Sequence, residues 1–377
     1  MKNFAYIVLW SIGFWLAGCY SKAPSEFVSA EFILKPLEDA NEITTGIDNF
    51  IDTLEIIPIK DSNISLSSVS KILLDGQGNL YVLDFSGHVL SFDKQGEVSR
   101  VMPQRGRASN EYIRATDICL SNRELMILDE PVVRCFNLEN LDEVRSIELP
   151  LDAPVDAIAP FDTGGVYLYS AFSTQQNSSG SKTDYLLSCC DSRGNMIEKY
   201  IKREDVTFSM FNISQARHNR YFLRPQNSTN LFYCLAPDGP RAVYKLDFGK
   251  NNIPKRYYYN VAGEDIVKYT TSDYYKLPME LHETTSHLYF RVAGKGAVEE
   301  CFIYNLTNKH ALRWKELADD YELKIQGADD GWFYAIAPRL DGESKRHGPL
   351  YSYVEGCFRK IDNPSPSQLY IIKIKFT

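Results

Sequence analysis

The chain has 377 residues, of which 44% are hydrophobic and 24% are charged, and its formal net charge is −8. These proportions are those of a soluble globular protein, and the length suits one large all-β domain or two ordinary domains. Because the chain is acidic and its basic residues are not clustered, it is not expected to bind nucleic acid.

The first element in the chain is a targeting signal. Lys2 precedes an apolar run from Phe4 to Trp15, which is too short to span a bilayer with ease. A basic residue, a short apolar core and small residues before a cleavage point are the layout of a secretory signal peptide. The chain is therefore predicted to be exported.

The sequence LAGC at residues 16–19 follows this run and resembles a bacterial lipobox. The resemblance implies cleavage before Cys19, whose thiol receives a diacylglycerol and whose new amino group is acylated, so that several chains give stable anchoring. We therefore predict a lipoprotein signal peptide at residues 1–18, a tether at 19–41 and a folded domain at 42–377. An ordinary signal peptide, or a buried strand with an incidental cysteine, is the alternative.

The region after the tether contains a repeated pattern. The stretch Val69–Val101 alternates strand-like runs with glycines, and it predicts four short strands joined by tight turns. The stretch Ala115–Leu149 repeats that order: NLYVLD aligns with ELMILD, so that Asp84 and Asp129 lie 45 residues apart. A period of this size with four strands per unit is typical of a propeller blade.

Four fainter copies follow, at GGVYLYSAF with DYLLSCCDSRGNMIEKY, at RYFLRPQNSTNLFYCLAPDGPRAVYKLDF, at SHLYFRVAG with ECFIYNLTNKHALRW, and at DGWFYAIAPRL with QLYIIKIKFT. The sequence therefore predicts an all-β, six-bladed β-propeller of four-stranded blades, with seven blades as the alternative. The strand-like segment Asp52–Lys60 has no companions before it, so we expect it to complete the last blade and close the ring.

The first repeat unit, GNLYVLD with VLSFDKQGEVSRV, is followed by QRGRASNEYIRATDI. Together with the lipobox, these segments resemble the six-bladed β-propeller lipoproteins of Bacteroides-type bacteria, which are distant relatives of NHL-repeat propellers. The resemblance implies a fold and an envelope location, but no activity. Gly106, Glu111 and Tyr112 match the G-x-G-P-x-E-Y loop of that family, whereas Ala108 and Ser109 stand in place of its Gly-Pro pair.

The residues that usually carry metal or nucleophilic chemistry do not form a known constellation. Seven cysteines besides Cys19 occur at irregular spacing without a C-x-x-C pair, so neither a disulfide framework nor a zinc or redox site is expected. His282 and His287 in HETTSH are five residues apart and diverge on a helix or a strand, unlike the pair in zinc proteases. No G-x-S-x-G elbow occurs. No cofactor and no metal are predicted.

Two hypotheses of function follow. A lipid-anchored, non-catalytic binding or scaffold protein would present one propeller face to a protein partner or a glycan. A metal-dependent hydrolase or lyase would collect carboxylate, amide or imidazole groups from several blades at the central channel. Its imaginable acids are Asp84, Glu111, Asp129 and Asp162, although an aspartate at the end of a strand is more often a turn residue. The sequence favours binding.

A tyrosine-rich segment, KRYYYNVAGEDIVKYTTSDYYKL at residues 255–277, interrupts the repeat and is the candidate recognition surface. Tyrosine combines a rigid apolar face with a polar tip, which suits interfaces and stacking on sugar rings. The alternative is that these rings pack between blades. The candidate binding residues are Tyr257, Tyr258, Tyr259, Tyr269, Tyr274 and Tyr275.

The residues after Cys19 indicate where the lipoprotein resides. Tyr20 and Ser21 lack the aspartate that retains some lipoproteins at an inner membrane, so outer-membrane attachment is expected. Glu26 is the one acidic residue in YSKAPSE, whereas surface-exported lipoproteins of this bacterial group tend to carry acidic residues soon after the cysteine. This difference mildly favours the periplasmic side, and both faces stay open.

Overall fold

The computed structural model describes residues 30–60, 66, 68–98, 106, 111–121, 123–150, 154–162, 164–170, 185–201, 213–217, 219–224, 230–254, 271–294, 299–316, 323–338, 348–361 and 369–377. These residues form six sheets of three to five strands. The first strands of the six sheets pack around a central channel. The predicted all-β, six-bladed propeller is therefore confirmed.

The N-terminal segment supplies strands to the outer edges of three blades. Its elements are β1 (Phe32–Leu34), α1 (Pro36–Asp39), β2 (Ala40–Glu42), a 3₁₀ turn at Ile47–Phe50, and β3 (Ile51–Pro58).

The first three blades follow in chain order. Blade 1 contains β4 (Val69–Leu74), β5 (Leu80–Asp84) and β6 (Val89–Phe92). Blade 2 contains β7 (Asp117–Leu120), β8 (Glu124–Asp129), β9 (Val132–Asn137) and β10 (Glu143–Glu148). Blade 3 contains β11 (Ala157–Phe161), β12 (Gly165–Tyr169), β13 (Leu187–Cys190) and β14 (Met196–Lys199).

The other three blades complete the ring. Blade 4 contains β15 (Ile213–Arg217), β16 (Arg220–Leu223), β17 (Leu231–Ala236) and β18 (Gly239–Leu246). Blade 5 contains β19 (Lys276–Glu283), β20 (His287–Ala293), β21 (Glu299–Asn305) and β22 (Ala311–Glu316). Blade 6 contains β23 (Gly327–Ala328), β24 (Phe333–Pro338) and β25 (Leu369–Phe376), with helix α2 (Pro349–Phe358) before β25. A second 3₁₀ turn lies at Gly249–Asn251.

Ring closure joins the two ends of the described chain. β3 pairs antiparallel with β25 from Tyr370 opposite Pro58 to Ile374 opposite Leu54, and it is the fourth strand of blade 6. The prediction that Asp52–Lys60 closes the ring is confirmed. Closure is favourable because it pairs the free edge that β25 would otherwise expose.

Two blades gain a fifth strand from the N-terminal segment. β1 pairs parallel with β18 of blade 4, and β2 pairs parallel with β22 of blade 5. Residues 32–34 and 40–41 of the predicted tether therefore belong to the sheets. Each strand has only three residues, which is too short to show an alternating pattern in the sequence.

Burial decreases from the channel to the rim of each blade. Every residue of β12 is buried, whereas every residue of β14, the outermost strand of blade 3, is exposed. The second strands of the blades are covered by neighbouring blades on both faces, which explains the nearly continuous apolar sequences of β5, β8 and β12. The outer strands face solvent, which explains why Glu198 and Lys199 lie there.

One turn occurs three times, twice in blade 1 and once in blade 3, and accounts for much of the glycine periodicity. In D-x-x-G sequences, the side chains of Asp75, Asp93 and Asp191 each accept hydrogen bonds from the backbone amides two and four residues later. The glycines Gly78 and Gly96 have φ of +84° and +76°, which glycine adopts without strain. The segment DGQGN is therefore a hairpin turn.

The seven cysteines after Cys19 are free thiols within the described part of the chain, and five of them are buried. Burial raises the pKa of both Cys135 and Cys190 to about 12. These thiols therefore pack as small apolar side chains in the blades. None of the helices among the described residues is long and apolar enough to cross a membrane.

Candidate functional site

A cavity of about 400 Å³ lies at the mouth of the central channel, where most of the inner strands begin. All six blades contribute to its lining, so its shape depends on the closed ring. Its volume lies in the range of small-molecule sites in proteins. Its charged, imidazole and amide side chains are those of Lys71, Asp84, Arg114, Asp117, Asp156, Gln215, Glu280, His282 and Gln326.

Side chains of blade 4 bridge the channel beyond the cavity. The amide of Gln215 accepts from the backbone N–H of Leu74 at 2.8 Å and donates to its carbonyl at 3.0 Å. Leu74 is the last residue of β4, which lies on the opposite blade of the ring. The hydroxyl of Tyr221 likewise bonds to both backbone groups of Leu120, at the end of β7. Gln215 also lines the cavity, so its bonds to Leu74 tie the lining to the opposite blade.

A buried ion pair forms one wall of the cavity. Nζ of Lys71 lies 2.8 Å from Oδ1 of Asp117, and both side chains are about nine-tenths buried. The other oxygen of Asp117 accepts from the backbone N–H of Ile158 at 2.8 Å. Burial raises the pKa of Asp117, although Lys71 opposes that effect. The pair links the inner strands of blades 1, 2 and 3.

His282 lies on β19 and is only 2% exposed. Its Nδ1 is 3.2 Å from the carbonyl oxygen of Gln215, and its ring stacks on Tyr289 at 6.3 Å between centroids. Burial lowers the pKa of the imidazole. Its Nε2 is buried and has no hydrogen-bond partner in the described part of the structure.

An irregularity in β19 directs Glu280 toward the cavity. The β19–β20 register shifts on both sides of Met279, and Glu280 has a φ of +25°. Such bulges commonly lie beside functional sites, where they re-aim a side chain. Oε2 of Glu280 accepts from the buried guanidinium of Arg291 at 3.1 Å. The bulge therefore places an ion-paired carboxylate in the lining.

The rim carries exposed apolar side chains beside the polar lining. Phe85 lines the cavity and is 62% exposed, and Ile113, the neighbour of the lining residue Arg114, is 54% exposed. Two buried aspartates fix the backbone next to these two rim residues. Asp84 accepts from the backbone N–H of His88 at 2.8 Å, and Asp129 accepts from that of Ile113 at 3.1 Å.

The acids considered for a metal site do not converge. Asp84 lines the cavity, but Asp129 pairs with Arg134 at 3.0 Å, and Asp162 follows the end of β11, away from the mouth. Glu111 is half-buried, beside Gly106. Within the described ranges, no group of three His, Cys, Asp or Glu side chains could hold a metal ion.

The HETTSH histidines also do not meet at one site. His282 lies in the channel on β19, whereas His287 begins β20. The Nε2 of His287 lies 3.0 Å from the carbonyl oxygen of Thr377, at the C-terminal end of the chain. The two histidines therefore lie on adjacent strands and have different hydrogen-bond partners.

Four of the six predicted recognition residues lie outside the described residues: Tyr257, Tyr258, Tyr259 and Tyr269. The predicted lipidation residue, Cys19, lies outside them as well. Tyr274 is half-buried. Tyr275 is buried, stacks on Phe248 at 4.6 Å, and donates to Glu300 at 2.8 Å. The ring of Tyr275 therefore packs in the core, as the alternative expectation had it, and it does not present a surface to a ligand.

Sequence reasoning missed Lys71, Gln215 and Gln326 and considered His282 only as part of a zinc pattern. The inner strands of blades 4 and 5 were not recognised, since polar residues interrupt their apolar pattern, and the short apolar inner strand of blade 3 was not recognised either. Polar residues within otherwise buried strands were the available signal, as in ISQAR at residues 213–217.

One solved structure has this architecture. A protein from Bacteroides fragilis NCTC 9343 that is described as exported has a similar fold, with 15% identity and a TM-score of 0.67 over 91% of this chain and 100% of that chain. The extracellular domain of a one-component system from B. thetaiotaomicron has 14% identity and a TM-score of 0.36, over 69% of this chain and 29% of that chain. No curated protein matches the chain.

A family model described as "6-bladed beta-propeller" matches residues 33–327. The match spans well over half of the chain and includes parts of every blade. The chain therefore belongs to this family of 6-bladed β-propellers.

Proposed function

We propose that this protein is a lipid-anchored, non-catalytic binding protein of the bacterial envelope, and that it binds a glycan in the cavity at the channel mouth. The observation that carries the proposal is the exposed ring of Phe85 at the rim of a cavity that is lined by both apolar and hydrogen-bonding side chains. Sugar rings present apolar C–H faces together with hydroxyl groups. A flat aromatic ring beside hydrogen-bonding side chains complements both parts.

The state of the carboxylates favours binding over hydrolysis. Asp117 is paired with Lys71, Glu280 with Arg291, and Asp84 with the backbone of its own turn. Carboxylates held in this way stabilise the site but are poorly placed to activate water or to share a metal ion. The cavity therefore suits recognition of a ligand better than its cleavage.

Replacing Phe85 with alanine tests the glycan site. In a chain that begins at Tyr20, Phe85→Ala is expected to weaken glycan binding about tenfold, because the stacking surface is lost. The measurement is screening on a glycan array followed by calorimetry with the best oligosaccharide. Phe32→Ala is the matched control, since Phe32 is 48% exposed on the outer edge of blade 4.

Equal affinity of the Phe85→Ala variant and the wild type would contradict the proposed site. A protein captured from envelope extract by the wild type and lost with Phe85→Ala, in the absence of any glycan binding, would instead make a protein the ligand.

The lipid anchor and the envelope location are proposed from the lipobox at residues 16–19. Cys19→Ala is expected to move the protein from the membrane fraction to the soluble fraction and to abolish labelling with radioactive palmitate. Cys357→Ala is the control, because this half-buried cysteine lies in helix α2. Unchanged sedimentation of the Cys19→Ala variant with membranes would count against lipid anchoring. Protease treatment of intact cells distinguishes the periplasmic face from the surface face.

A further inference from the structure

The rim of the cavity carries an unpaired cation beside its exposed aromatic ring. Arg114 lines the cavity and is exposed to solvent. Its backbone N–H donates to Oδ1 of Asp129 at 3.0 Å, but within the described ranges its guanidinium has neither a hydrogen bond nor an ion pair. A guanidinium carries five N–H donors in a fixed planar arrangement. The donors of Arg114 are therefore available to a ligand that enters the cavity.

The other charged groups of blades 1, 2 and 5 in the lining already have partners in the protein. Asp117 pairs with Lys71 at 2.8 Å, and Glu280 pairs with Arg291 at 3.1 Å. The side chain of Asp84 has no exposed surface and accepts from the backbone of its own turn. None of these carboxylates is bonded to Arg114, so its charge has no counter-ion in this part of the structure.

The remaining carboxylate of the lining lies on another blade. Asp156 is half-buried and directly precedes β11 of blade 3, whereas Arg114 directly precedes the inner strand of blade 2. A group held by the guanidinium of Arg114 therefore lies on the side of the cavity that carries Phe85 of blade 1.

The loop that carries Arg114 is fixed against the turn that carries Phe85. The hydroxyl of Tyr112 accepts from the backbone N–H of Val89 at 2.9 Å, which joins the loop before β7 to β6. Gly87 approaches the same loop so closely that a Cβ atom there would lie 3.0 Å from Cγ of Arg114. The cation and the aromatic ring are therefore held as neighbours before a ligand binds, which lowers the entropic cost of binding.

We infer that the ligand is an acidic carbohydrate, whose carboxylate or sulfate group pairs with the guanidinium of Arg114 while one of its sugar rings stacks on Phe85. This inference rests on the proposed function and names the class of glycan. The planar guanidinium matches a carboxylate through two parallel hydrogen bonds, which favours a uronic acid. A neutral sugar would bond to the same group without the attraction between opposite charges.

The experiment compares acidic oligosaccharides with neutral counterparts of the same chain length by calorimetry. The probes are uronic-acid oligosaccharides before and after reduction of their carboxyl groups to alcohols, and sulfated oligosaccharides before and after removal of sulfate. Wild-type protein is expected to bind an acidic probe about tenfold more tightly than its neutral counterpart. This ratio should fall as the salt concentration rises. Arg114→Gln removes the charge and keeps an amide, and it is expected to bring the ratio to about one.

Arg123→Gln is the matched control, because Arg123 is exposed and follows β7, whereas Arg114 precedes that strand. The control is expected to keep the wild-type ratio. Far-ultraviolet circular dichroism and melting temperature establish that both variants are folded. A ratio that is lost only for the uronic-acid pair assigns the anionic group as a carboxylate, and one that is lost only for the sulfated pair assigns it as a sulfate. Either result supports the inference.

Two results overturn the inference alone, for probes whose binding Phe85→Ala weakens. They are a wild-type ratio of about one or below for both pairs, and an unchanged ratio in the folded Arg114→Gln variant. Binding that is insensitive to Phe85→Ala, or no binding of any probe, overturns the proposed function and the inference with it. Arg114-dependent capture of an acidic protein from envelope extract, without binding of any oligosaccharide, overturns both as well and makes a protein the ligand.

Discussion

A chain that begins at residue 60 is expected to be unfolded at room temperature, because it lacks β3. Without β3, blade 6 ends at β25, whose backbone groups from Tyr370 to Phe376 lose their partners. The loss also uncovers an apolar cluster that includes Ile372 and Ile374. Because every blade packs on two others, an open ring loses support for the adjacent blades as well.

A circular permutant tests whether the truncated chain unfolds because the ring is open or because other N-terminal residues are missing. In this variant the chain begins at residue 60, and residues 47–59 are joined after Thr377 through a short turn. The junction is feasible because the backbone N–H of Thr377 already donates to the carbonyl of Phe50 at 3.0 Å. The permutant is expected to give cooperative thermal unfolding by circular dichroism, and the truncated chain is not. Cooperative unfolding of the truncated chain near the wild-type temperature would show that β3 is dispensable.

Replacement of Lys71 by methionine is expected to destabilise the protein by about 3–5 kcal/mol, because it leaves the buried carboxylate of Asp117 without its charge partner. Chemical denaturation of the wild type and the variant at neutral pH gives the difference in unfolding free energy. Lys60→Met is the matched control, since the Lys60–Glu97 pair is half exposed and should contribute about 0–1 kcal/mol.

The destabilisation caused by Lys71→Met should depend on pH in a defined direction. Burial already raises the pKa of Asp117 in the folded state, and removal of Lys71 takes away the main opposing effect. Asp117 in the folded variant then binds a proton at higher pH than it does in the unfolded chain. The stability of the variant therefore rises as the pH falls toward the pKa values of carboxyl groups. The difference from wild type should therefore shrink at acidic pH. A difference that grows on acidification would contradict the assigned ion pair.

The sequence was informative where strands are covered on both faces. NLYVLD and ELMILD became β5 and β8, equivalent strands of adjacent blades, and Asp84 and Asp129 end them as predicted. The closing role of β3 was also predictable, because an orphan strand at one end of a repeat array needs a partner at the other. Repeated apolar runs and turn glycines carry this information in a single sequence.

The site was not predictable, because its polar residues come from strands whose pattern they interrupt. Gln215 interrupts β15, and His282 lies in the irregular strand β19. The polar side chains come from six separate blades, and which of them meet depends on how the blades are arranged around the ring. No local sequence pattern contains that information. The D-x-x-G turns show the reverse case, since every hydrogen bond of such a turn lies within five residues.

The parallel pairing of β1 with β18 determines how the molecule would respond to mechanical load. A pull on the N-terminus acts along β1, where the Glu31 N–H to Ala242 carbonyl bond and the Asp247 N–H to Leu34 carbonyl bond lie at the two ends of the pairing. Such a strand resists in shear, because its bonds must stretch together instead of breaking one after another. Tension would therefore enter at the outer edge of blade 4, several strands away from the channel, and spare the cavity from distortion.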